Sequence, residues 1–516
     1  MNTTEQVPLR HWVALCGAML GAFMAVLDIQ ITNASLNDIL GSLGATMDEG
    51  SWVTTSYLVA EIIVIPISGW LSEVFSPRRY LLVNAFLFLL FSLGCACAWN
   101  IESMIALRAL QGLAGGILIP MAFTLTLQLL PASKRALGFA IFGMTATFAP
   151  AVGPTIGGWL TDNYGWPSIF YLNLLPGALL IGAVAWGLEP TTPRHERLKH
   201  GDWWGICTMA IGLGSLIIFL EEGNRKDWFS SRLILVTGLL ALISLCACVV
   251  IELRQREPFI NLRLLADRNF GLCCLVSLAF GFGMYGATYL LPVYLAGVQG
   301  YNALQIGETI MWSGAPQFLM MPVVALLLKR VDARLLLTLG LGLFAASGLM
   351  NGFLSNLTGY DQLRMPQLVR AAGMPLVIVP LTALATSHLP LAQSGSASAL
   401  FNMFRNLGGS IGIALLATRL DLREKLHSAR LGETVTLLDP ATLDRLQSIT
   451  GILTARGGNE AAAATQAIGS VAQIIHREAS VMAFGDCFLI LGTVLMAMIP
   501  LVWFTNAAKG NGAPSH

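Results

Sequence analysis

Fourteen apolar stretches divide the chain, each near the length of about 20 residues that a helix needs to cross a bilayer. They begin at Trp12, Trp52, Tyr80, Ser103, Leu137, Ser168, Trp203, Leu233, Asn269, Leu304, Leu335, Leu363, Ala397 and Val481. Polar positions gather in the breaks between them, which are short and rich in turn residues, as at Ser76 to Arg79 and Asp162 to Pro167. Such breaks predict compact helical packing. One connection differs. Arg419 to Ser480 is about 60 residues of mostly polar sequence, too long for a turn. Leu443, Leu446, Ile449 and Leu453 keep helical spacing within it, as do Ile468, Val471 and Ile475, so two amphipathic helices joined across Thr454 to Glu460 are expected. Two uses fit them: a lid packed on its own half, or a docking surface for a partner.

The pattern also repeats. Ile65 to Leu82 aligns without gaps on Met321 to Thr338, matching Pro66 to Pro322 and Arg78 to Arg334. Ile119-Pro120 after Gln111 corresponds to Val379-Pro380 after Arg370, and Gly153 to Gly157 corresponds to Gly408 to Gly412. The offset, about 256 residues, equals six spans plus two more. The chain is therefore read as an all-α integral membrane protein with two six-helix halves and two inserted helices. Residues 1–200 form the amino-terminal half, 201–257 the inserted pair, and 258–516 the carboxy-terminal half with its long outer loop 419–480. Parallel halves related by an axis along the membrane normal are a transporter architecture.

Composition agrees and excludes alternatives. With 55% hydrophobic residues, 11% charged residues and a mean hydropathy of +0.68, the chain is far from a soluble globular protein. A net charge of +1 supplies no field for nucleic acid. All nine cysteines lie in apolar runs, and the seven histidines show no ligand spacing, with His195 and His200 in a charged loop. No metal, cofactor or disulfide framework is expected. The amino terminus runs into the first span without a small-residue cleavage site, so that span is read as retained. With this terminus inside, Arg10, Arg78, Arg79, Lys134, Arg135, Arg194, Arg197, Lys199, Arg256 and Lys509 fall on the cytoplasmic side, against Arg225, Lys226 and Arg232 in the short outer loops. The bias places both ends in the cytoplasm.

Candidate chemistry begins with Asp28, an acid inside the first span. A charge at that depth costs about 2.5–3.5 kcal/mol on insertion scales, so it marks a cavity or a partner. Met24, Asp28 and Thr32 recur every four residues, with Asn33 beside them, which gives one helix side a polar stripe. At 1.5 Å per residue, Asp28 lies about 24 Å above Trp12 and Arg108 about 8 Å below the outer start of span four, similar depths at which the two can pair. Glu61 falls near the centre of span two, where a proton site, a contact for a cationic substrate and a packing hydrogen bond all fit. Arg370, Arg405 and Glu308 are further polar points. Gly281 to Gly286 spells a dinucleotide fingerprint and Gly408 to Gly412 a nucleophile elbow, but both lie within spans and lack the strand their chemistry requires. No catalytic constellation is present.

On these residues the sequence resembles the major facilitator superfamily, specifically its fourteen-span drug:proton antiporters of the EmrB/QacA type. Leu27 to Leu36 is similar to the first-span motif, which implies a proton-coupling role for Asp28. Arg108 to Gly116 resembles the fourth-span motif with its membrane-embedded arginine, and Gly153, Pro154, Gly157 and Gly158 resemble the antiporter motif of the fifth span. Gly69, Glu73, Arg78 and Arg79 resemble the cytoplasmic gate, which departs from the family pattern at Val74, Ser76 and Pro77. Ser398 to Gly412 and the long outer loop are closest to the EmrB branch. The resemblance implies proton-coupled export of amphipathic or hydrophobic organic compounds across a bacterial inner membrane, with Asp28, Arg108 and Glu61 in coupling. Met24, Thr32, Asn33, Gln111, Phe148, Arg370 and Arg405 are expected at the substrate cavity. It also implies a periplasmic membrane-fusion adaptor and an outer-membrane channel as partners. Export of one dedicated metabolite, such as a siderophore or an aromatic acid, is the rival within transport, and a non-transporting membrane sensor or scaffold the rival outside it.

Overall fold

A computed structural model describes residues 7–506, apart from 195, 197–200, 256–257, 388, 391–392, 437 and 456–458. The basic positions Arg197, Lys199, Arg256 and Lys509, the two loop histidines and the Arg456 to Gly458 joint lie outside the described residues. Fourteen spans follow in order. Spans one to six are Leu9–Ala34, Glu49–Phe75, Pro77–Ala96, Ile101–Leu129, the bent pair Ser133–Pro150 and Val152–Tyr164, and Ser168–Gly187. Spans seven and eight are Trp203–Gly223 and Arg232–Arg254. Spans nine to fourteen are Arg268–Gly297, Leu304–Leu327, Ala333–Asn351, Tyr360–Thr386, Ser394–Thr434 and Glu460–Trp503. Every expected start falls within its span. Span five bends by 45° at the break between Pro150 and Val152, where Pro150 and Pro154 lack the N–H groups that would continue the ladder.

Polar residues in the breaks act as helix caps. Thr46 with Glu49, Asn100 with Ser103 and Asn302 with Gln305 form capping boxes at spans two, four and ten. Asp202, Asp267 and Asp332 accept from first-turn N–H groups at spans seven, nine and eleven. The connection from Arg419 to Ser480 holds both expected helical segments, Leu443 to Leu453 and Ile468 to Ile475, and the second is continuous with the last span. Span thirteen stays helical to Thr434 and span fourteen is helical from Glu460, with one further helix, Pro440–Ala455, between them. Leu420 to Ala429 contains only good or tolerated helix formers, so the chain leaves the apolar layer without leaving the helix.

The sequence repeat becomes a packing repeat. Span one lies against four, five and six, span four against two and three, and three against six. In the second half span nine lies against twelve, thirteen and fourteen, span twelve against ten and eleven, and eleven against fourteen. The halves meet where two touches thirteen and five touches ten, supported by four on thirteen and five on twelve. Matched residues do matched work. Arg78 donates to the carbonyl of Ala185 at 2.6 Å and Arg334 to that of Thr505 at 3.0 Å, each tying its helix to the last span of its own half. Spans seven and eight pair with each other, and seven packs on two and thirteen.

At the end of the bundle that carries both termini, the halves close on each other. A Cβ on Gly69 would lie 2.8 Å from the backbone of Gly395, Ser398 donates to the carbonyl of Pro120 at 2.9 Å, and Gln128 donates to Ser394 at 3.4 Å. Within the second half, a Cβ on Gly408 would lie 1.9 Å from the carbonyl oxygen of Leu278, whereas nothing lies within 4 Å of one on Gly342. Gly408→Ala should therefore destabilise the purified protein by about 1–3 kcal/mol through overpacking. Gly342→Ala should match or slightly exceed the parent, since alanine is the better helix former. Thermal unfolding in detergent reads both, and equal midpoints would show that spans nine and thirteen do not need this close approach.

Candidate functional site

The first site is a buried polar cluster inside the amino-terminal half. Arg108 Nη1 donates to Asp28 Oδ2 as an ion pair, and both side chains are 0% exposed. The other carboxylate oxygen accepts from Gln111 Nε2 at 3.1 Å and from Asn173 Nδ2 at 2.7 Å. Arg108 also donates to Gln111 Oε1 at 2.8 Å and to the carbonyl of Val53 at 3.4 Å, with the ring of Tyr57 4.3 Å from its guanidinium carbon. Asn173 donates in addition to Ser92, which donates to the carbonyl of Phe170. Spans four and six thus meet on the carboxylate of span one, and spans two and three join through Arg108 and Asn173. The helices approach closely because span four carries Gly112 where it crosses span two: a Cβ there would lie 2.4 Å from the carbonyl of Tyr57.

The second site is a cavity of about 250 Å3 between the halves, lined from spans one, two, four, seven, nine and thirteen. Val26, Ile29, Leu58, Ile62, Ile119, Ile217 and Ile413 make its walls mostly apolar. Gln30, Asn33, Thr54, Tyr285, Tyr289, Asn406 and Ser410 add hydrogen-bonding groups, and Glu61 and Glu221 are its two acids. Apolar walls with a few placed polar groups suit amphipathic organic molecules. Span one serves both sites. It turns Asp28 into its own half and Val26, Ile29, Gln30 and Asn33 toward the cavity.

The expected site residues divide accordingly. Asp28 and Arg108 meet as their depths implied, and Gln111 belongs with them rather than to the lining of this cavity. Glu61 lines the cavity, as does Asn33, which accepts from Thr54 at 2.6 Å. Met24 and Thr32 share the inward face of Asp28; both are 0% exposed, and the Thr32 hydroxyl is used by the carbonyl of Asp28 at 2.7 Å. Phe148 joins an aromatic seam with Phe23 and Phe318, at ring separations of 6.2 and 5.9 Å. Arg370 donates to Ser313 at 2.7 Å and Arg405 to Asn402 at 2.8 Å, and neither lines this cavity. Glu308 is exposed near the start of span ten.

In the fifth-span motif, Gly153 and Gly157 sit where a Cβ would lie 2.4 Å from Gln30 and 2.9 Å from Ile31, with Gly158 buried after them and Pro154 within the bent helix. That motif is the contact between spans one and five. At the expected gate, Gly69 meets Gly395 across the halves, Arg78 caps span six, Arg79 is exposed and Glu73 is half-buried. Asn173, Ser92 and Tyr57 of the cluster, and Glu221, Tyr285, Tyr289 and Asn406 of the cavity, are additions that the structure makes to the expected site.

Residues 18–413 match the model of the Major Facilitator Superfamily. The chain is 33% identical over 498 residues to the colistin resistance protein EmrB of Acinetobacter baumannii, covering 96% of this chain and 97% of that protein. It is 32% identical to the multidrug export protein EmrB of Escherichia coli, over 96% of each. The fatty acid resistance protein FarB of Neisseria gonorrhoeae is 29% identical over 98% of each chain. Among solved structures, the proton:xylose symporter XylE shares the fold with a TM-score of 0.62 at 14% identity, covering 98% of each chain. The human organic anion transporter TETRAN does so with a TM-score of 0.61 at 13% identity, covering 95% of this chain and 99% of its own.

Removing one partner of a buried ion pair leaves an uncompensated charge, at a cost of about 3–5 kcal/mol. Arg108→Gln and Asp28→Asn should each lower the unfolding midpoint in detergent. The double variant should lose clearly less than the sum of the two, and additivity in that cycle would show that the pair is not coupled.

Proposed function

Since the chain belongs to the major facilitator superfamily and to its EmrB branch of exporters, we propose that it carries amphipathic and hydrophobic organic compounds out across the bacterial inner membrane in exchange for protons. The observation that carries this proposal is the double duty of span one, which bears the buried acid on one face and the cavity wall on the other. Three N–H donors converge on Asp28, from Arg108, Gln111 and Asn173. A protonated carboxyl carries an O–H that needs an acceptor, and these three donors offer it none, so a proton on Asp28 disfavours this arrangement. Proton entry therefore loosens the cluster and favours release of span one from spans four and six. Exchange follows if the released and the tied positions of span one belong to opposite openings of the cavity.

In this conformation the acid is tied and the terminus end is closed by Gly69 against Gly395. With both termini in the cytoplasm, this is a state that has shut its inner side. The apolar cavity walls support a broad substrate class, and relatives named for multidrug export, colistin resistance and fatty acid resistance agree with it.

The helical tips of spans thirteen and fourteen are proposed as the seat of a periplasmic membrane-fusion adaptor that passes substrate to an outer-membrane channel. They are fastened to each other, Arg423 and His427 holding Asp486 at 2.6 and 2.8 Å. They and the segment between them expose Leu422, Leu438, Ile452 and Ile468. Exposed apolar side chains on a rigid, otherwise polar projection fit a protein partner better than a lid.

Two measurements test the proposal. In vesicles with an imposed pH gradient, Asp28→Asn should lose at least about tenfold in uphill accumulation while downhill exchange persists, and undiminished accumulation would remove Asp28 from coupling. Replacing Pro440 to Ala455 by a short Gly-Ser linker should preserve vesicle transport and abolish resistance in whole cells. Loss of both, in a protein that still inserts, would identify the tips as a lid.

A further inference from the structure

Span seven belongs to the inserted pair, yet it is part of the cavity wall. Ile217 and Glu221 line the cavity, facing Glu61 and Ile62 of span two and Tyr285 and Tyr289 of span nine. The span is fixed in register by the next residue: Glu222, 1% exposed, accepts from Thr55 of span two at 3.2 Å. Beyond it, Trp228 donates to Thr418 of span thirteen at 3.0 Å. The insert is thereby pinned to both halves, with Glu221 held between them.

Among the described residues, neither cavity acid is held by an ion pair. Glu61 is 5% exposed and has no hydrogen bond or ion pair among the described residues. The Oε1 atom of Glu221 is buried and also without a partner. Among the described residues, no lysine, arginine or histidine lines the cavity. The nearest basic side chain in sequence to that lining, Arg405, donates through Nη2 to Asn402 and lies 5.9 Å from the ring of Phe142; its charge acts on Glu61 without forming an ion pair with it. Two unpaired carboxylates in an apolar enclosure are costly unless a ligand supplies the opposite charge.

We propose that Glu61 and Glu221 form a two-carboxylate site for amphipathic organic dications, with the inserted span seven contributing one of its two charge contacts. Each carboxylate accepts one ammonium group in a charge-assisted hydrogen bond. The isoleucine walls enclose the apolar spacer, and the tyrosine rings offer π-faces to the cationic ends. The proposal rests on the export function given above for the choice of cavity. It adds that the insert selects substrates by charge.

The test uses three compounds with one carbon skeleton: a diammonium amphiphile, its mono-ammonium counterpart and a neutral counterpart. Binding to the purified full chain in detergent is measured by calorimetry, and transport in vesicles under a pH gradient. Glu221→Gln and Glu61→Gln should each weaken the diammonium probe by about tenfold relative to the neutral one, and the double variant by about a hundredfold. Glu222→Gln, which removes the same charge from a side chain engaged with Thr55, should move that ratio less than Glu221→Gln. A diammonium-to-neutral ratio that stays constant across all four variants overturns the site, as does a loss that Glu222→Gln matches. If the parent binds the diammonium probe with this dependence but transports none of the three compounds, the export function fails and the site stands.

Discussion

A carboxylate and a guanidinium, both withdrawn entirely from solvent, set the terms for the amino-terminal half. Neither Asp28 nor Arg108 is tolerable alone at that depth, and together they are supported by Gln111, Asn173 and Val53, which take up further hydrogen-bonding positions of the pair. Five of the six spans of that half contribute a group to the cluster. It joins these spans through one buried ion pair. The rest of the half is conventional apolar packing, which tolerates small shifts; the cluster is satisfied or it is not.

The duplicated plan explains why such a device can influence a cavity that it does not touch. Equivalent helices make equivalent contacts in both halves, so each half behaves as a unit, and the halves meet along two seams, span two with thirteen and span five with ten. Span one joins the cluster to the cavity wall. The inserted pair departs from the symmetry, because span seven packs at the junction of spans two and thirteen and has no counterpart on the opposite side, where five meets ten and twelve. One flank of the cavity thus has a chemistry that the duplication did not supply.

Much of this was legible in the residues. Apolar length fixes the number of spans, and rise per residue places Asp28 and Arg108 at one depth before any contact is known. Other features are set by neighbours. Met24 and Thr32 share a stripe with Asp28, but only packing decides whether that stripe faces a cavity or a helix. Asn173 and Ser92 are ordinary polar residues in apolar spans, and nothing in their spacing announces that they meet at Asp28. Glu221 and Glu222 end an apolar run, where acids usually mark the exit to water; packing on spans two and thirteen instead buries Glu222 and half-buries Glu221. The polar stretch after Arg419 signals departure from the bilayer, and composition cannot distinguish that from the end of a helix.

The unbroken course of span thirteen has a mechanical consequence. The same helix that meets Gly69 at one end of the bundle runs on to Thr434 at the other, with the last 16 or so residues rising about 24 Å beyond Arg419. A rigid rod amplifies rotation. A tilt of about 10° in the second half would sweep its tip through roughly 4 Å over that length. Whatever rests on the tip is therefore mechanically informed of the state of the cavity, and a load applied there is transmitted back to the contact between Gly395 and Gly69.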